Sequence, residues 1–151
     1  MRTKAYTTIE IVIVLAILMA IALILIPITV SGITKTNANN YLKDISSRLF
    51  DQQIASYSGK NSSAHGIAFE QEKAILFTGT SLIAATDTVD LVYPTRLSLQ
   101  QTDLVGGTDQ IVFLEGNYRP VAYGSVSLTD GDQIYRLEIN SEGMIDYYVS
   151  D

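Results

Sequence analysis

The chain has no cysteine and a single histidine among its 151 residues. Without cysteine no disulfide staples the fold, and such a chain is permitted in any redox compartment. The one histidine, His65, sits in the Ser/Gly/Asn-rich stretch 58–66, with no cysteine and no second histidine to join it. It therefore belongs to no metal-ligand constellation, and no serine motif accompanies it to suggest a nucleophile. Positive charge is also scarce: 10 Lys and Arg stand against 16 Asp and Glu, a formal net charge of -6. That balance argues against nonspecific nucleic-acid binding, which rests on Lys and Arg contacts to phosphate. These absences predict a protein that is not an enzyme, with no cofactor and no bound metal.

What the chain does have is a long apolar run near its start. From Ile11 to Ile26 no side chain is polar, and twelve of these sixteen residues are Ile, Val or Leu. With Pro27, Ile28, Thr29 and Val30 the run reaches the roughly 20 residues that span a bilayer core. The branched residues would contribute on the order of 4 to 7 kcal/mol toward insertion. One carboxylate, Glu10, stands at the mouth of the run, and an ionisable residue in such a place calls for a function and a partner. Arg2 and Lys4 precede the run, while the first cation after it is Lys35, which predicts an N-terminus held inside and the remainder outside. A cleavable secretory signal fits poorly, because large apolar residues continue beyond Ala20-Ile21-Ala22. A single-span anchor for an extracytoplasmic binding domain that never polymerises is the plainer alternative.

Ala5, then Tyr6-Thr7-Thr8-Ile9-Glu10, the unbroken apolar run and Pro27 resemble the N-terminus of type IV pilins and pseudopilins. Counted from Tyr6 as first residue, Glu10 is fifth and Pro27 twenty-second, the spacing of that family. Ala5 stands where the family usually has Gly, and Tyr6 where it usually has Phe. The resemblance implies a leader, residues 1–5, removed by a prepilin peptidase after Ala5, followed by N-methylation of Tyr6. Loss of Arg2 and Lys4 would leave the side chains at -8. It further implies a filament subunit in which Glu10 pairs with the N-terminal amine of a neighbouring subunit. Partners would be the peptidase, other pilin or pseudopilin subunits, and membrane and assembly-platform proteins. The machine implied is a type IV pilus, type II secretion or competence filament, reached from the inner membrane.

Downstream, residues 6–30 are expected as a transmembrane and filament-core helix. Residues 31–57 would be its amphipathic continuation, with Pro27 and Gly32 bracketing a kink. Apolar positions 38, 41, 42, 45, 49, 50, 54 and 57 fall at mostly helical intervals and predict the buried face of that second half. From Gly66 the period changes to two. Residues 66–70 and 74–77 read as a hairpin about Gln71-Glu72-Lys73, and further strands are expected at 89–93, 96–99, 111–114, 125–128, 133–139 and 144–149. Asp130-Gly131 marks another hairpin turn. The expected fold is α+β, a long helix packed on a mainly antiparallel sheet spanning 58–151, as in the pilin fold. His65-Gly66-Ile67-Ala68-Phe69, Ala74-Ile75-Leu76-Phe77 and Ser141-Glu142-Gly143 before a last strand resemble minor pseudopilins of the GspH/FimT type. Asp87 with Asp90, and Asp130 with Asp132, are read as turn chemistry rather than calcium loops, since neither has the spaced carboxylates of an EF-hand. Tyr147-Tyr148 reads as sheet packing, because no basic stripe accompanies it.

Overall fold

A computed structural model describes the backbone of residues 8–150, together with the side chains of residues 8–22 and 36–150. One helix, α1, has the bounds Thr8–Tyr57. A short 3-10 turn at Lys60–Ser62 follows it, and then eight strands. These are β1 (His65–Phe69), β2 (Lys73–Thr78), β3 (Asp87–Val92), β4 (Ser98–Leu104), β5 (Gln110–Phe113), β6 (Gly124–Thr129), β7 (Ile134–Ile139) and β8 (Ile145–Ser150). The chain forms two compact units, one ending at Lys35 and the other running from Thr36 to Asp151.

Three expectations need correction here. The strands form two four-stranded antiparallel sheets, ordered β3-β2-β1-β5 and β4-β6-β7-β8, rather than one. The helix described with its side chains amounts to stretches of 15 and 22 residues, one in each unit. Among the described residues no helix is long and apolar enough to cross a membrane. The physical reason is length and composition. The first stretch falls short of the roughly 20 apolar residues that a bilayer core requires, and it includes Thr8 and Glu10. The second stretch carries a full complement of polar side chains. The transmembrane half of the expected fold, the single-pass inner-membrane localisation and the membrane-anchored alternative are therefore not supported.

The two sheets differ because their burial differs. In the first, β1 reads His-Gly-Ile-Ala-Phe and every residue is buried, and β2 is buried from Ala74 to Phe77. Continuous apolar runs of this kind belong to strands covered on both faces. One face, carrying Ile67, Phe69, Leu76, Ile111 and Phe113, joins the main core. The other, carrying Ala68, Phe77 and Val112, lies beneath Leu82 and Ala85 of the β2–β3 connection. Gly66 sits where this layer is tightest: a Cβ there would come within 2.5 Å of the Ile111 carbonyl and 2.7 Å of the Phe77 ring. In the second sheet β7 alternates, with Tyr135, Leu137 and Ile139 buried and the residues between them half-buried. That is the one-sided pattern of a strand packed on a core by one face.

The second half of α1 closes the core. Ala38, Leu42, Ile45 and Leu49 are buried among residues of both sheets. Their 4-3-4 spacing keeps them on one stripe of the helix. The stripe continues to Gln53 and Ser56 rather than to Phe50, Ile54 and Tyr57, which the apolar pattern had placed on the core face. The last turn of the helix lies against backbone carbonyls, and only donors can satisfy them. Gln53 Nε2 donates to the carbonyls of Tyr118 and Gly143, each at 2.8 Å. The Ser56 hydroxyl donates to Phe113 O at 2.9 Å and accepts from the His65 amide at 2.9 Å.

Candidate functional site

Of the residues that the sequence singles out, Ala5 and Tyr6 lie outside the described residues. Glu10 lies in the first turn of α1 and is exposed. An acid there is favoured by the positive end of the helix dipole. Pro27 and Gly32 fall within the bounds of α1, and their side chains lie outside the described residues.

Glu10 is set among apolar side chains that stand exposed. Ile9 and Met19 are each 68% exposed, and even the least exposed large residue of the stretch, Ile21, is at 48%. Ile11 through Leu15, Ile17 and Leu18 all lie between these values. A helix apolar all round is a buried element in nearly every setting, and exposed apolar surface of this extent commonly marks a place of contact.

In the second unit the displaced apolar residues form a feature of their own. Phe50, Ile54 and Tyr57 are exposed at 54%, 48% and 59%. They follow Lys43 and Ser47 on a stripe flanking the core stripe. Phe50 lines an apolar groove of about 560 Å³, walled on one side by Lys43, Ser47 and Gln53 of α1 and on the other by Met144, Ile145 and Tyr147. Lys43 is its only charged lining residue. Beyond Lys43 and Tyr147 it continues as a polar recess lined by Thr36, Asn39 and Asn40. The turn that forms the far wall depends on Gly143, which has φ +82°, and a Cβ there would run into Gln53 Nε2 and the Tyr118 carbonyl. At the end of the stripe Tyr57 meets Tyr118 edge to face, with ring centroids 6.0 Å apart.

The remaining polar candidates are structural. His65 is buried at 4% exposure on β1, not in a loop. Its Nε2 lies 3.0 Å from the Lys60 carbonyl, which can only accept, so that nitrogen is the donor of the bond. Nδ1 then faces the Thr78 hydroxyl at 3.4 Å. The neighbouring Ser56 hydroxyl is engaged by the backbone of His65 and Phe113, which makes it a bridge between strands. Asp130 is also buried, and its Oδ1 accepts from the amides of Asp132 and Gln133 at 3.0 and 2.9 Å. Its Oδ2 accepts from the Tyr135 hydroxyl at 2.9 Å. Burial raises the carboxyl pKa, but these hydrogen bonds outweigh it, and the net displacement is below the ordinary value. Burial, and then the bond to Asp130, push Tyr135 up to about 12. Asp90 is engaged by Lys73 at 2.8 Å, while Asp87 is exposed at the start of β3.

One acidic arrangement escaped the sequence reading. Asp103, Ser125, Glu138 and Asp146 stand in register on β4, β6, β7 and β8 and form one row across the second sheet. Pairing register alone reveals such a row, since the three acids are far apart in the chain. Among the described residues no group of acids and histidines is arranged to hold a metal ion. No family model, no curated protein and no solved structure matches the chain.

Proposed function

We propose that the protein is a non-enzymatic subunit of a filament of the pilin kind, assembled from copies of itself or of related chains through its N-terminal apolar helix. The observation that carries this reading is the stretch from Thr8 to Ala22, whose large apolar side chains are about half exposed or more. At about 25 cal/mol per Å² of apolar surface removed from water, helices of this kind gain strongly by covering one another. Cohesion of that sort is indifferent to register. The resemblance gives the selectivity to Glu10, the only ionisable side chain of the stretch, through pairing with the N-terminal amine of a neighbouring subunit. The spacing from Ala5 and Tyr6 to Glu10 and Pro27 supports processing after Ala5 by a prepilin peptidase and methylation at Tyr6.

Two measurements test the reading. The mass of the mature chain is expected to lack residues 1–5 and to carry one methyl group. The full chain is expected to sediment as filaments visible by electron microscopy, and Glu10→Ala is expected to reduce the sedimented fraction about tenfold or more. An intact N-terminus together with monomeric behaviour of both proteins would refute it.

A further inference from the structure

The second sheet ends on β8, and the groove beside Phe50 runs along that end. In an antiparallel ladder successive residues turn their backbone groups alternately toward the neighbouring strand and away from it. Tyr147 is of the outward kind, for its amide is answered at 2.8 Å by the carboxylate of exposed Asp146. The same alternation turns the backbone of Ile145 and Val149 outward. β8 thus presents a short row of amides and carbonyls with no strand on that side among the described residues. Such a row is a template for a further strand. Two other outer strands are met by backbone of their own chain. Val121 donates to Val112 O at 2.8 Å beside β5, and Leu99 of β4 donates to Gln71 O at 3.2 Å.

Opposite the row stands α1. Phe50 lies across from Met144 and Ile145, and Lys43 lies at the Tyr147 end, where the polar recess begins. Gln53, at the apolar end, has both amide protons committed to the carbonyls of Tyr118 and Gly143. Lys43 takes part in no ion pair among the described residues, so an incoming carboxylate displaces no resident partner. The volume of about 560 Å³ is that of a pocket which encloses a ligand rather than a surface dimple.

We propose that the groove takes an extended peptide of a partner protein, added to β8 as a fifth strand, with apolar side chains against Phe50 and an acidic one at Lys43. Only another backbone answers a row of amides and carbonyls, and strand addition is the mode that supplies it. Every second side chain of the added strand then faces the groove. Antiparallel pairing is the stronger form. Since β8 runs from Ile145 beside Phe50 to Tyr147 beside Lys43, an antiparallel peptide enters with its acid first. Lys43 and Phe50 are seven residues apart on α1, about 10 Å. Three residues of strand cover about the same length, so apolar side chains two and four places after the acid flank the Phe50 ring. A second copy fits less well: its own β8 is walled by its own α1, and both copies carry a formal net charge of -6. An alkyl amphiphile could meet Lys43 and Phe50 but would leave the outward amides unanswered. Every residue lining the groove lies in the second unit, so the contact holds whether or not the chain forms filaments.

The test titrates the full-length chain against acetyl-Glu-Thr-Val-Thr-Val-Thr labelled with fluorescein at its C-terminus, read by fluorescence anisotropy. Saturable binding is expected. Lys43→Glu, or Lys in place of the probe's Glu, is each expected to weaken it about tenfold, and the two changes together to recover it. N-methylation of the alternate probe amides that face β8 is expected to abolish binding, and methylation of the other alternate set to leave it unchanged. The proposal is overturned if the probe does not bind, if Lys43→Glu binds it like the parent, or if both methylated probes bind equally. Laurate binding that depends on Lys43, with both methylated probes equally bound, would assign the groove to an amphiphile instead. A disulfide-linked dimer of Val149→Cys, abolished by unlabelled probe, would assign the edge to a second copy; the parent has no cysteine to confuse that result.

Discussion

Ser56 shows how one short polar side chain can do what a larger apolar one cannot. It is fully buried at the last turn of α1, where it bridges the amide that opens β1 and the carbonyl that ends β5. Replacing it by alanine leaves a buried donor and a buried acceptor unanswered. That loss costs about 1–3 kcal/mol. Ser56→Ala is expected to lower the urea midpoint of the full chain with the slope of the transition unchanged. Gln53 plays the same part for the carbonyls of Tyr118 and Gly143. Neither residue was legible as buried in the sequence, because a hydropathy pattern scores side chains and cannot see the carbonyls awaiting a donor. The consequence reached further than two residues. Phe50, Ile54 and Tyr57, assigned by apolarity to the core, stand exposed on the flanking stripe instead, with Phe50 lining the groove.

At the scale of elements, the hairpin of β6 and β7 carries a testable link to pH. Asp130 is held below its ordinary pKa in the folded chain, so it contributes stability above the carboxylate's unfolded value. That contribution is lost as pH falls through the lower folded value. Tyr135 is displaced upward, so its contribution is present below its unfolded value and lost as pH rises toward about 12. Asp130→Asn is therefore expected to flatten the acid limb of a thermal stability profile and to leave neutral-pH Tm lower than in the parent. The row of acids across β4, β7 and β8 makes a second prediction. Glu138 and Asp146 are directly opposite on neighbouring strands. Like charges so placed oppose pairing. Asp146→Lys is expected to stabilise the chain by roughly 0.2–1 kcal/mol, read as a rise in Tm. The strands themselves were largely legible, since alternation and turn residues located seven of the eight near their observed places. The exception was the length of β4, which runs through polar Gln100-Gln101-Thr102-Asp103 and carries no apolar alternation there. The division into two sheets was not legible, because it depends on which distant edges pair.

Across the whole molecule, charge and apolar surface pull in opposite directions. The chain carries a formal net charge of -6, so like copies repel as they approach. The screening length shortens from about 30 Å at 0.01 M salt to about 8 Å at 0.15 M. Sedimented material is thus expected to increase over that range at fixed protein concentration. A decrease would mean that attraction between opposite charges, rather than apolar cohesion, drives association. The apolar run and the position of Glu10 could be read from residue order. Membrane crossing could not, since it depends on the continuous length of apolar helix, and the described stretch falls short of it.

Assembly of the proposed kind would also bring sheet edges of different copies together, and β3 is one such edge. It presents Asp87 and Asp90 beside exposed Val89 and Val92, with Asp90 held by Lys73 of β2. Edge strands bearing charge resist joining one another. Two copies of β3 brought edge to edge would oppose carboxylate to carboxylate. The acids read from the sequence as turn chemistry thus stand on an edge strand, where their charge disfavours amyloid-like stacking.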